Sequence, residues 1–126
     1  MSNTILDINQ PIIEKQIVSK FQMNCDSNDV EFVQGITDAN APILMEVLRE
    51  RIKQEKKWGQ QNHEPLKWNA ILGEEFGEVS KAILEKDIKN YREELIQVAA
   101  VAIAAIDSLD RIEKNPDVHI TNFGEL

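Results

Sequence analysis

Leu95-Ile96-Gln97-Val98-Ala99-Ala100-Val101-Ala102-Ile103-Ala104-Ala105-Ile106 is a run of twelve residues in which only Gln97 is polar. A helix that is apolar on every side is normally central in a bundle or shared with another subunit. The many alanines in this one let neighbouring helices approach closely. The run is shorter than the roughly 18 apolar residues that a membrane-spanning helix requires, so no transmembrane helix is expected. Its helix is predicted to start at Asn90, with Glu93 three residues on in the capping-box arrangement, and to reach about Arg111.

Working outward, a short turn over Asp87 to Asn90 leads back to a helix from Leu66 to about Lys86. There Ile71, Leu72, Phe76, Val79 and Ile83 are spaced to face inward. Gly59 to Pro65 reads as a loop. Before it, a helix is predicted from Asp38–Pro42 to Trp58, because Asp or Asn can cap free amides and proline is tolerated in a first turn. Leu44, Val47, Leu48 and Ile52 form its apolar stripe, and Gly59 is a natural stop. The expected organisation is an N-terminal segment 1–37, a helical domain 38–113 and a polar tail 114–126. Within the first segment Ile13, Ile17 and Phe21 mark a short helix, and Asn24 to Asp29 a loop.

Composition supports the same class. Aromatics make up 6% of the chain, and five Gly with four Pro favour long helices over many short strands. The fold class expected is therefore all-α, a helical bundle. The 14 Lys and Arg against 22 Asp and Glu leave a net charge of −8, a poor match for a nucleic-acid backbone, so duplex DNA or RNA is not an expected partner. An acidic chain still binds small anions where a metal or local basic cluster reverses the field. Cys25 is the single cysteine, which rules out an intrachain disulfide and a Cys/His zinc site. With no secretory signal in Met1 to Gln10, a cytoplasmic location is expected.

The chemistry-bearing stretch is Gly73-Glu74-Glu75-Phe76-Gly77-Glu78. Carboxylates three apart share nearly one helical face. The ordinary fate of such a pair is a solvated acidic surface. A second patch, Glu93 and Glu94, immediately precedes the apolar run, and Glu94 and Gln97 are again three apart. Antiparallel pairing of the two helices, imposed by the short turn, would set Glu75 and Glu78 opposite Glu94 and Gln97. Converging carboxylates need a counter-charge, and magnesium, with about six oxygen ligands shared among carboxylates, waters and phosphates, supplies one. Glu93 is better given to capping its own helix.

These residues resemble the MazG-like all-α nucleotide pyrophosphohydrolases, whose motif is E-E-x-x-E followed by E-x-x-D on the next helix. Glu74-Glu75-Phe76-Gly77-Glu78 matches the first half, and Glu94-Leu95-Ile96-Gln97 matches the second except that Gln97 replaces the aspartate. Lys57-Trp58-Gly59-Gln60 through Trp68, and Val98 to Ala102, are similar to a phage and bacterial branch of that family. The likeness covers about residues 46–110. It implies magnesium, with manganese as a substitute, on Glu75, Glu78 and Glu94, and Gln97 in the remaining ligand position. It also implies Glu74 as the group that orients or deprotonates the attacking water, and a homodimer or homotetramer.

The activity implied is hydrolysis of a nucleoside or deoxynucleoside triphosphate to monophosphate and pyrophosphate. Lys53, Lys56 and Lys57 are candidates to meet the outer phosphates, although such a run more often decorates a solvated helix face. Trp58, Trp68 and His63 are candidates to meet the base, with core packing the ordinary alternative for either tryptophan. The rival reading keeps the fold as a nucleotide-binding or docking module without turnover, and Gln97 is what favours it.

Overall fold

A computed structural model describes residues 5–22, 29–115 and 117. Among the described residues the chain is all-α, as expected, with four helices: α1 (Ile5–Gln22), α2 (Val30–Trp58), α3 (Pro65–Leu84) and α4 (Ile88–Lys114). Among the described residues no helix is long and apolar enough to cross a membrane. The predicted loop at 24–28 and nearly all of the predicted tail lie outside the described residues.

The chain divides within α2 into two compact units, Met1–Arg49 and Glu50–Leu126. In the first, α1 has 18 residues, and α2 begins eight residues before the predicted Asp38 cap and passes through Pro42. The side chains expected to cap are turned along the helix instead. Asn40 Nδ2 donates to the Ile36 carbonyl at 2.7 Å, and Asp38 accepts from Gln34 Nε2 at 2.6 Å. Among the described residues Ala41, Met45 and Val47 are the buried side chains here, whereas Leu44 and Leu48, expected in the apolar stripe, are exposed.

The second unit is organised by the α3–α4 hairpin. Helix α3 starts on Glu64, whose carboxylate accepts from the amides of Leu66 at 2.6 Å and Lys67 at 2.8 Å, with Pro65 in the first position. Its end is a Schellman turn: Asp87 N donates to Ala82 O at 3.0 Å and Lys86 N to Ile83 O at 3.1 Å. Lys86 takes the left-handed position, φ 56°, where glycine is usual. Asp87 then caps α4 by accepting from Asn90 N at 3.0 Å. The capping box predicted on Asn90 and Glu93 does not form, because Asp87 already occupies the cap. Glu93 instead faces Lys89 at 4.0 Å on the surface.

This one-turn reversal leaves α3 and α4 antiparallel neighbours. Trp68, Val101 and Ala104 form the core between them, with Ile71, Leu72 and Ala105 packed around it. Val79 and Ala82 continue the buried line on α3, and Ala100 and Ser108 on α4. Phe76 and Ile83, expected to face inward, are 64% and 57% exposed. At 100° per residue Phe76 and Ile83 lie about 20° apart, and the buried line of Trp68, Val79 and Ala82 falls to one side of both, so the helix is rotated relative to the sequence-based expectation. Nor is α4 buried all round: Leu95 and Ile106 are exposed.

Candidate functional site

The antiparallel register sets the levels of the polar groups. Trp68 packs with Val101 and Ala104. Seven residues further along α3, and seven back along α4 at about 1.5 Å each, Glu75 comes level with Glu94 and Gln97. Glu75 is half-buried while Glu74 and Glu78 on either side are exposed; Glu94 and Gln97 are half-buried.

Burial pushes the Glu75 carboxyl above its ordinary value. The carboxylates of Glu94, Glu74, Glu78 and Glu50 add to the shift in the same direction. Four anionic neighbours from three helices therefore bear on one carboxyl. Glu50, on α2, pairs with Lys53 at 3.6 Å. The sequence offered no sign that Glu50 also reaches the field of Glu75, because that depends on how the last turns of α2 meet the hairpin.

The electrostatic sign is testable. A carboxyl whose value is raised by folding destabilises the fold once it ionises. The penalty is fully present above the raised value and vanishes as pH falls below the ordinary carboxylate range. Glu75→Gln is thus expected to raise the thermal midpoint of the metal-free protein at pH 7 to 8, with the gain shrinking to nothing near pH 3 to 4, about the ordinary carboxylate range or below it. A gain that persisted unchanged in acid would show that the carboxylates do not cause it.

Among the described residues, no three His, Cys, Asp or Glu side chains form a ready-made cage for a metal ion. The donor chemistry around Glu75 nevertheless suits a hard cation. All the donors are oxygens, their mutual repulsion calls for positive charge, and magnesium commonly keeps several waters and binds through one or two carboxylates plus substrate phosphates.

At the other end of the hairpin, His63, Pro65 and Trp68 face Ile106, Leu109 and Ile112 across an apolar cavity of about 240 Å³. The His63 and Trp68 rings lie 5.0 Å apart, tilted by 58°. Burial, reinforced by Lys67 and opposed by Glu64, holds His63 below its ordinary value. Trp68 is 9% exposed, and its buried Nε1 has no hydrogen-bond partner among the described residues. Trp58, the other aromatic candidate, is exposed, with Lys57 Nζ 4.6 Å from its ring centre. Lys53 and Lys56 are exposed.

Arg111, which the sequence did not single out, fixes the loop that carries His63. Its Nη2 donates to Asn62 Oδ1 at 3.0 Å and to the Gln61 carbonyl at 3.2 Å, its Nε to Asn62 Oδ1 at 3.3 Å, and it pairs with Asp107. Charged hydrogen bonds of this kind each contribute about 1.5 to 3 kcal/mol. Arg111→Ala is expected to speed amide exchange across 61–64 while α4 keeps its protection. Unchanged exchange in the loop would refute the clamp.

No family model, curated protein or solved structure matches this chain.

Proposed function

We propose that this protein is a magnesium-dependent nucleoside triphosphate pyrophosphohydrolase of the MazG-like kind. The observation that supports this best is the convergence of Glu94, Glu74, Glu78 and Glu50 on the half-buried Glu75. Such crowding of like charge costs stability unless a ligand uses it, and a divalent cation with polyphosphate does so.

In this reading Glu75, Glu78 and Glu94 hold the cation, Gln97 completes the set as a neutral oxygen ligand, and manganese substitutes for magnesium. When bound, the metal neutralises phosphate oxygens and the charge that develops on departing pyrophosphate. Glu74 lies about 100° around α3 from Glu75, outside the cation-facing side, and accepts the proton of the water that attacks phosphorus. The bond between the α and β phosphates breaks, giving a monophosphate and pyrophosphate. Lys53, held beside the cluster by Glu50, meets the outer phosphates, with Lys56 and Lys57 on the same basic stretch.

The apolar cavity receives the base. Trp68 and Glu75 are seven residues apart on α3, a rise of about 10 Å, which is the scale of the distance from a nucleobase to its phosphates. His63 and Trp68 offer ring faces for stacking. Trp58, exposed and covered by Lys57, is a weaker candidate for that role.

The test is pyrophosphate release from a panel of ribo- and deoxyribonucleoside triphosphates with and without magnesium. Release that requires magnesium and falls with Glu75→Ala is expected. No release from any member would favour the second reading, a nucleotide-binding or docking module without turnover, for which the amide of Gln97 in place of an acid is the favouring observation.

A further inference from the structure

Among the described residues, the cavity at the loop end of the α3–α4 hairpin is lined by six apolar side chains and a single titratable one, His63. No acidic side chain lines it to neutralise a charge on that ring. Apolar cavities of this scale take small uncharged rings, as an engineered apolar cavity of about 150 Å³ binds benzene; this one has about 240 Å³.

The backbone is pinned on both sides of His63. Asn62 accepts from Arg111 at 3.0 and 3.3 Å, and Glu64 accepts from the amides of Leu66 and Lys67 at 2.6 and 2.8 Å. His63 therefore cannot travel with its loop unless the clamp or the helix cap breaks. Its own side-chain torsions are what remain, and they place the ring 5.0 Å from that of Trp68. A proton taken up by His63 is thus taken up at the cavity wall.

The charged groups around the ring do little to hold that proton. Burial opposes it most, Lys67 opposes it further, and Glu64 favours it. The wall supplied by α4 is uncharged, and Arg111 is engaged by the loop and by Asp107. Arg51 and Glu55 of α2, which share a small polar cavity with Gln61 and Trp68, pair with each other at 2.7 Å. A ring seated in the apolar cavity strips His63 of remaining water, so an occupied cavity and a neutral imidazole favour each other.

We infer that His63 makes this cavity a pH-operated site, which takes an uncharged aromatic ring while the imidazole is neutral and releases it when the imidazole is protonated. The inference rests on the placement of the base in this cavity and gives that placement a regulation. By linkage, affinity is level at pH values above that at which His63 titrates and falls about tenfold for each pH unit below it.

The test is nuclear magnetic resonance of the full chain titrated with indole, an uncharged ring, from about pH 5 to pH 8, with His63 assigned through His63→Phe. In the wild type, indole should bind more weakly once His63 protonates, and His63 should titrate at lower pH when indole is present. His63→Phe, with a ring that never charges, should bind indole equally throughout. Affinity that ignores the His63 titration seen in the same spectra overturns the inference and leaves the base placement standing, as does an equal fall in His63→Phe. Indole that binds at no pH overturns both, while pyrophosphate release tests the hydrolase reading separately. Should His63→Phe lose helicity, the shift of the wild-type His63 titration by indole decides the matter alone.

Discussion

Glu75→Ala is expected to lower magnesium-dependent pyrophosphate release by at least about a hundredfold, the scale at which a lost catalytic or metal-holding group is felt. The same change should leave the metal-free protein folded and somewhat more stable. Alanine is the best helix former, and the substitution removes the carboxyl that its neighbours oppose. Activity lost while stability rises separates a functional carboxylate from a structural one, since a structural residue would lose both. Magnesium should raise the thermal midpoint of the wild type and not of the variant. Full activity in Glu75→Ala would sink the proposed site.

The second large effect concerns Trp68. Trp68→Ala is expected to cost about 3 to 5 kcal/mol in denaturant unfolding, as truncation of a large buried aromatic does. Trp68 lies in the core cluster with Val101 and Ala104 and also lines the cavity beside His63. Against a total stability of about 5 to 15 kcal/mol, that loss brings the fold close to failure. Trp68→Phe keeps a ring in place and deletes an indole N–H that has no partner, so it should cost only roughly 1 to 2 kcal/mol. Equal losses in the two variants would mean that the indole nitrogen is bonded and that the packing account is wrong. In the folded Trp68→Phe protein, weaker nucleotide binding with unchanged magnesium stabilisation would place the base in the cavity.

Much of the fold follows from local pattern. The apolar run 95–106 and the stop at Gly59 both report short-range physics, and the helices α3 and α4 fall close to where periodicity puts them. Cap residues were less legible. Asp87 and Asn90 lie within one turn of the start of α4 and Glu93 in its second turn, and any could satisfy free amides by composition. Asp87 holds the cap because the Schellman turn at Lys86 delivers it there. The start of α2 was misread for a related reason: Asp38 and Asn40 are good capping residues, but in α2 their side chains bond one turn back along the helix.

By itself the sequence determined that the chain is helical, that its carboxylates come in two patches at helical spacing, and that these patches sit either side of a tight reversal. Periodicity and turn chemistry act over a few residues and are written in the order of the chain. Only the tertiary structure decided which side of α3 is buried. Phe76 and Ile83 fit an inward stripe as well as Val79 does by spacing, and the choice was made by what Trp68 packs against across the hairpin. It likewise decided that Glu50 joins the field around Glu75 and that Arg111 holds the loop of His63, 48 residues earlier in the chain. Burial and Coulomb interactions depend on distance in space, which residue spacing along a chain does not fix.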